Sequence, residues 1–87
     1  MNAAPNPFNP RTTIYYSLPE QARVTIEIFD LSGRRIRQLV GGVRRAGEHA
    51  ATWNGTNGAG KPVASGVYFY RLDAGGQTAV RKMVLAR

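Results

Sequence analysis

Apolar and polar residues alternate along most of this chain with a period of two. Residues 23–30 (RVTIEIFD) carry the pattern most cleanly, with Val24, Ile26 and Ile28 on one side and Arg23, Thr25, Glu27 and Phe29 on the other. Such alternation is the signature of a strand with one buried face. Residues 12–18 (TTIYYSL) repeat it in β-branched and aromatic residues, placing Ile14, Tyr16 and Leu18 on one face. After a turn at 31–34, residues 35–40 (RIRQLV) return, so 23–40 reads as a hairpin. Residues 48–53 (EHAATW) put His49, Ala51 and Trp53 on one face, and the small alanines leave room for the indole. Residues 66–73 (GVYFYRLD) set Tyr68, Tyr70 and Leu72 against Val67, Phe69 and Arg71. A tight turn at 74–76 leads into a last strand, 77–85 (QTAVRKMVL).

No segment has the 3.6-residue period of a helix. Short strands spaced by about 8–12 residues, with glycine-rich turns between them, indicate a sandwich or barrel. At 87 residues the chain fits one domain, and the expected class is all-β: an immunoglobulin-like antiparallel β-sandwich of about seven strands. Six strands are clear, and short ones are expected within 41–47 and 62–65. The expected core is Ile14, Val24, Ile26, Ile28, Ile36, Trp53, Tyr68, Tyr70 and Leu72. Residues 1–10 (MNAAPNPFNP), with three prolines and three asparagines, read as an extended lead-in to the sandwich of 11–87. Phe8 is expected to pin that lead-in to the domain.

The absence of cysteine removes both a disulfide staple and a thiolate nucleophile. Twelve Lys and Arg against five acids give a net charge of +7. These cations are spread along the chain and alternate, as at Arg35 and Arg37, which directs them to solvent faces; no nucleic-acid partner is expected. No apolar run approaches the ~20 residues that cross a membrane, so membrane insertion is not expected. Met1 to Ala4 lacks the basic and apolar regions of a signal peptide, and Met1 reads as the start of an excised domain.

Candidate chemistry is sparse. The single His49 has no companion ligands at zinc-binding spacing. Glu20, Glu27, Asp30, Glu48 and Asp73 fall on different strands and turns, so no acid–base pair forms in sequence. Ser17, Ser32 and Ser65 have no visible base. The loop 54–65 (NGTNGAGKPVAS) departs from a phosphate-binding loop, because Pro62 follows Lys61 where Ser or Thr is needed. It also lacks the carboxylates a calcium site wants. The expectation is a chain with no catalytic residues, no metal and no cofactor. A sugar platform would need Phe69 beside another outward aromatic, Tyr15 or Phe29.

Three stretches together resemble a known family. They are Pro5-Asn6-Pro7-Phe8-Asn9-Pro10, Gly66-Val67-Tyr68-Phe69-Tyr70-Arg71-Leu72, and Arg81-Lys82-Met83-Val84-Leu85. In this order and spacing they resemble the type A C-terminal sorting domain of proteins exported by the bacterial type IX secretion system. The half from Trp53-Asn54-Gly55 to Gly66-Val67-Tyr68 is also similar to the Ig-like domain of the flagellar hook-capping protein.

The first resemblance implies a non-catalytic signal that directs a cargo protein through the outer membrane. The cargo travels by way of the periplasm to the cell surface or medium. The implied partners are the outer-membrane translocon and a sortase-like peptidase. The residues it points to are Gly66, Tyr68, Arg81, Lys82, Met83, Val84, Leu85 and Arg87, the last standing where many relatives have lysine. The last strand of an open sandwich is often an edge, offering unpaired N–H and C=O groups to a partner. A structural role competes at Gly66 as a strand-opening glycine and at Tyr68 as a core or corner tyrosine. Three other readings stand beside sorting: a carbohydrate- or surface-binding accessory module, a hook-cap-type scaffold domain, and a structural subunit that self-associates through the same edge.

Overall fold

The computed structural model describes residues 11–86; Phe8, the remainder of the lead-in and Arg87 lie outside the described residues. Six strands form: β1 Thr12–Leu18, β2 Ala22–Asp30, β3 Arg35–Arg44, β4 Gly47–Trp53, β5 Gly66–Ala74 and β6 Gln77–Leu85. All pairings are antiparallel. β1 and β4 make a two-stranded sheet, and the other four make a sheet in the order β3-β2-β5-β6. The immunoglobulin-like sandwich expected from the alternation is the observed architecture.

The strand count among the described residues is six, because neither short segment stands alone. Residues 41–44 continue β3, and Pro62 makes only an isolated bridge to Thr56. A glycine pair, Gly41-Gly42, reads as a connection in sequence, yet Thr25 and Val24 pair with it in the sheet.

Alternation decides what is buried. Val24, Ile26 and Ile28 have no exposed surface, and Trp53 retains 1% of its own. Ile14, Leu18, Ala51, Tyr68, Met83 and Leu85 complete the core. Ile36, Tyr70 and Leu72, expected in this core, pack against it but remain half-buried. The cause is the mismatch of sheet widths: two strands cannot cover the inner face of four. β4 approaches β3, and the far end of β1 reaches the β5–β6 hairpin. There a groove of about 270 Å³ opens between Leu18 and Pro19 on one side and Leu72, Ala74 and Ala79 on the other.

Arg35 and Arg37 do not share a solvent face as their spacing suggests. The β2–β3 register slips between Ile28 and Phe29, so Arg35 pairs with Phe29 while Arg37 pairs with Ile28. Arg35 is exposed and meets Glu27 at 2.8 Å. Arg37 is half-buried and donates through Nη1 to Thr56 Oγ1 at 2.8 Å.

Turns are fixed by polar side chains. Asp30 Oδ1 accepts from Ser32 N, Ser32 Oγ and Arg34 N at 2.7–3.0 Å. These bonds, led by the Ser32 hydroxyl, hold its carboxyl below the usual range. Asn57 Oδ1 organises the 54–65 loop in the same manner by accepting from Ala59 N and Lys61 N. The β5–β6 link is a two-residue turn at Gly75-Gly76, with φ of 56° and 85°. Two successive positive φ values match the twist of a hairpin and admit few residues but glycine.

Candidate functional site

That glycine turn sets the geometry of the sequence-selected residues. Ala74 pairs with Gln77, and from this end the β5–β6 ladder runs without interruption to Gly66 opposite Leu85. Tyr68 therefore lies opposite Met83, Phe69 opposite Lys82, and Tyr70 opposite Arg81. The two β-strand stretches that carry the family resemblance are one paired unit.

Within that unit the residues divide by face. Tyr68, Met83 and Leu85 point into the sandwich and are buried. Tyr68 meets Trp53 edge-on, with ring centroids 5.1 Å apart at 69°, a favourable arrangement of the ring quadrupoles. Its hydroxyl donates to Ala64 O at 2.6 Å, satisfying the one polar atom that burial would otherwise strand. Tyr68 is thus a core residue that also ties down the approach to β5. Gly66 opens β5 at φ +153°. A Cβ built there would meet nothing within 4 Å, so the backbone torsion, not crowding, favours glycine.

The outward face of β6 carries Thr78, Val80, Lys82 and Val84, all exposed. Val80 is 58% and Val84 64% exposed. Arg81 is exposed although its parity is inward, because the narrow second sheet leaves that flank uncovered. Of the terminal apolar trio, only Val84 is offered to solvent as a side chain; Met83 and Leu85 serve the core. Val80 joins the outward row without having been singled out in sequence. The signal was available: a two-residue glycine turn fixes the register, and counting from it assigns every β6 residue to a face.

The carboxylates on this sheet, Glu27, Asp30 and Asp73, are each met by an arginine. Arg71 Nε meets Asp73 Oδ2 at 3.0 Å, and Thr78 Oγ1 donates to Asp73 Oδ1. The Thr78 hydroxyl, then Arg71, hold the Asp73 carboxyl below its ordinary value. Lys82 has no anionic partner among the described residues.

Other candidate chemistry stays dispersed. Among the described residues no three His, Cys, Asp or Glu side chains gather where a metal ion could be held. His49 stacks on Tyr16 at 5.2 Å, and its Nε2 lies 2.7 Å from Arg45 O. Phe29 and Phe69 are cross-strand neighbours on the outer face of the larger sheet, both half-buried. Tyr15, 78% exposed, projects from the other sheet, so the three aromatics do not form one platform. No described helix is long and apolar enough to cross a membrane.

Comparison with known proteins agrees with this geometry. The profile of the FlgD Ig-like domain matches residues 9–78. Among solved structures, FLGD from P. Aeruginosa superposes with a TM-score of 0.62 at 20% identity, over 86% of this chain and 60% of that one. Dimeric latent PorU from Porphyromonas gingivalis superposes at 0.68 and 22% identity, over 95% of this chain and 9% of that one. At these identities the likeness is one of fold, and in both cases this chain spans less than two thirds of the other. No curated protein sequence matches it.

Proposed function

This chain belongs to the FlgD Ig-like domain family, and from that premise we propose that it is a non-catalytic sorting domain, directing a cargo protein across the outer membrane to the cell surface. One observation carries the reading. The stretch 81–85 lies on the last strand of the larger sheet, with no further strand beyond it among the described residues, and is locked in register to Gly66 and Tyr68. Recognition by a translocon and a sortase-like peptidase needs a surface that is rigid, exposed and distinct in charge. β6 supplies rigidity through Met83 and Leu85, and exposure and charge through Val84, Lys82 and Arg81. Basic groups at an edge steer an acidic receptor surface toward it.

The family also contains scaffold domains of the hook-cap kind, and that reading competes. The family profile ends at residue 78, short of 81–85, so the segment on which sorting depends lies outside what the family match explains. The experiment places residues 1–87 behind a signal peptide and a soluble reporter in a type IX-competent cell. The parent domain delivers the reporter to the surface. Lys82→Glu with Arg87→Glu leaves it in the periplasm. Exposed charge changes such as Lys82→Glu shift stability by no more than about 0.5 kcal/mol, so the fold persists. Delivery by the reversed domain at the parent's rate would remove the basic strand as the signal and favour the scaffold.

A further inference from the structure

Among the described residues the larger sheet ends in two unlike edges. β3 forms one, and its pairing with β2 slips twice, between Ile26 and Glu27 and between Ile28 and Phe29. Gly42, still paired with Val24, then takes φ 140°. Register slips of this kind bend an edge away from the flat geometry that a further strand requires. β6 forms the other edge, and it runs nine residues against β5 with no slip. A long, flat edge strand with exposed apolar side chains is what soluble proteins ordinarily shorten, cover or charge. Here Val80 and Val84 stand exposed on its outer row, with Lys82 between them.

The charges sharpen the picture. On the outer face of β2 and β5, Glu27 is occupied by Arg35 and Asp73 by Arg71. Lys82 sits across from Phe69 and meets no anion among the described residues. On its outer row a strand laid beyond β6 would meet Lys82, which has no ion pair among the described residues, with an apolar side chain two positions to either side; Arg81, likewise without one, has the opposite parity. The pattern is symmetric about Lys82, so it suits a strand of either direction.

We infer that β6 accepts an extended segment of a partner protein as a fifth strand, with an acidic side chain opposite Lys82 and apolar side chains opposite Val80 and Val84. Main-chain hydrogen bonds supply the attraction and the alternate side chains the selectivity. This deepens the sorting reading, on which it rests for its biological setting. The pairing itself belongs to the strand and is measurable without a cell.

The test titrates residues 1–87 with the end-capped heptapeptide Thr-Val-Thr-Glu-Thr-Val-Thr and follows backbone amide exchange. Slowed exchange at alternate β6 residues, with β3 unchanged, is the expected result. Replacing the peptide's Glu by Lys turns an attractive cross-strand pair repulsive and weakens binding by about tenfold. Val80→Lys with Val84→Lys abolishes the protection while the melting temperature holds, since both positions are exposed. No protection of β6, protection of β3 instead, or equal binding of the Glu and Lys peptides would overturn the inference. So would β6 protection that rises with protein concentration in the absence of peptide, which would make the occupant a second copy. The reporter assay separates the two levels. If the parent fails to deliver, the sorting reading falls while the peptide result stands. If the Val80→Lys, Val84→Lys domain delivers like the parent, sorting stands and strand addition falls.

Discussion

Met83 lies directly across the β5–β6 ladder from Tyr68, and both side chains enter the core beneath Trp53. The strand on which the proposed recognition rests is therefore also a wall of the hydrophobic interior. Removing residues 81–87 outright would confound unfolding with lost recognition. Point changes keep the two apart: Met83→Ala empties core volume and costs about 2–5 kcal/mol, whereas Val84→Thr changes only the exposed face and stays within about 0.5 kcal/mol. Chemical denaturation of the two variants measures the difference.

Trp53 joins the core to the 54–65 loop. Its ring is buried, and its Nε1–H donates to Thr56 O at 2.8 Å. Trp53→Ala costs about 3–5 kcal/mol, a large part of the stability of a domain this small. Trp53→Phe keeps most of the ring but leaves the Thr56 carbonyl without its donor, so it costs less. It also loosens the loop, which faster amide exchange at 57–61 would report.

Gly66 is tested by the torsion it adopts. At φ +153° with open space where a Cβ would lie, Gly66→Ala costs about 1–3 kcal/mol through backbone strain alone. Extending the side chain to the unbranched Ser or Gln adds little to that penalty. A cost that climbed steadily with side-chain size would show crowding to be the cause.

Acid should weaken the domain through two carboxylates. The folded state holds Asp30 and Asp73 below their ordinary values, by hydroxyl donors first and then by backbone donors and arginine. A depressed folded pKa means that the unfolded chain binds protons first as pH falls, so stability drops with falling pH. The contribution is complete above the unfolded value of about 3.9 and disappears as pH passes down through the folded values. Melting temperature therefore falls on acidification below about pH 4, and Asp30→Asn with Asp73→Asn flattens that limb of the profile.

Much of the fold is written in local alternation. The run from Val24 to Ile28 announces a half-buried strand, and those three side chains have no exposed surface. Trp53 beside small alanines reads correctly as a central core residue. What local pattern does not carry is the width of the opposing sheet, and that width leaves Tyr70 and Leu72 half-buried. Register slips are equally invisible to alternation, and one of them separates Arg35 from Arg37. For the candidate site, sequence named a strand but not which of its residues face outward. Assigning Met83 and Leu85 inward and Val80 outward requires the ladder to be counted from the Gly75-Gly76 turn, a tertiary pairing read through a local motif.

If β6 accepts a partner strand as proposed, the two slips in β3 also set a stoichiometry. A fibre built by stacking the larger sheet edge to edge would need every molecule to bond on both sides. The domain would then be monovalent: β6 takes on one neighbour, and the bent β3 offers no flat edge to a second. Growth through that sheet would stop after a single addition, making the domain a terminator there and not a repeating unit.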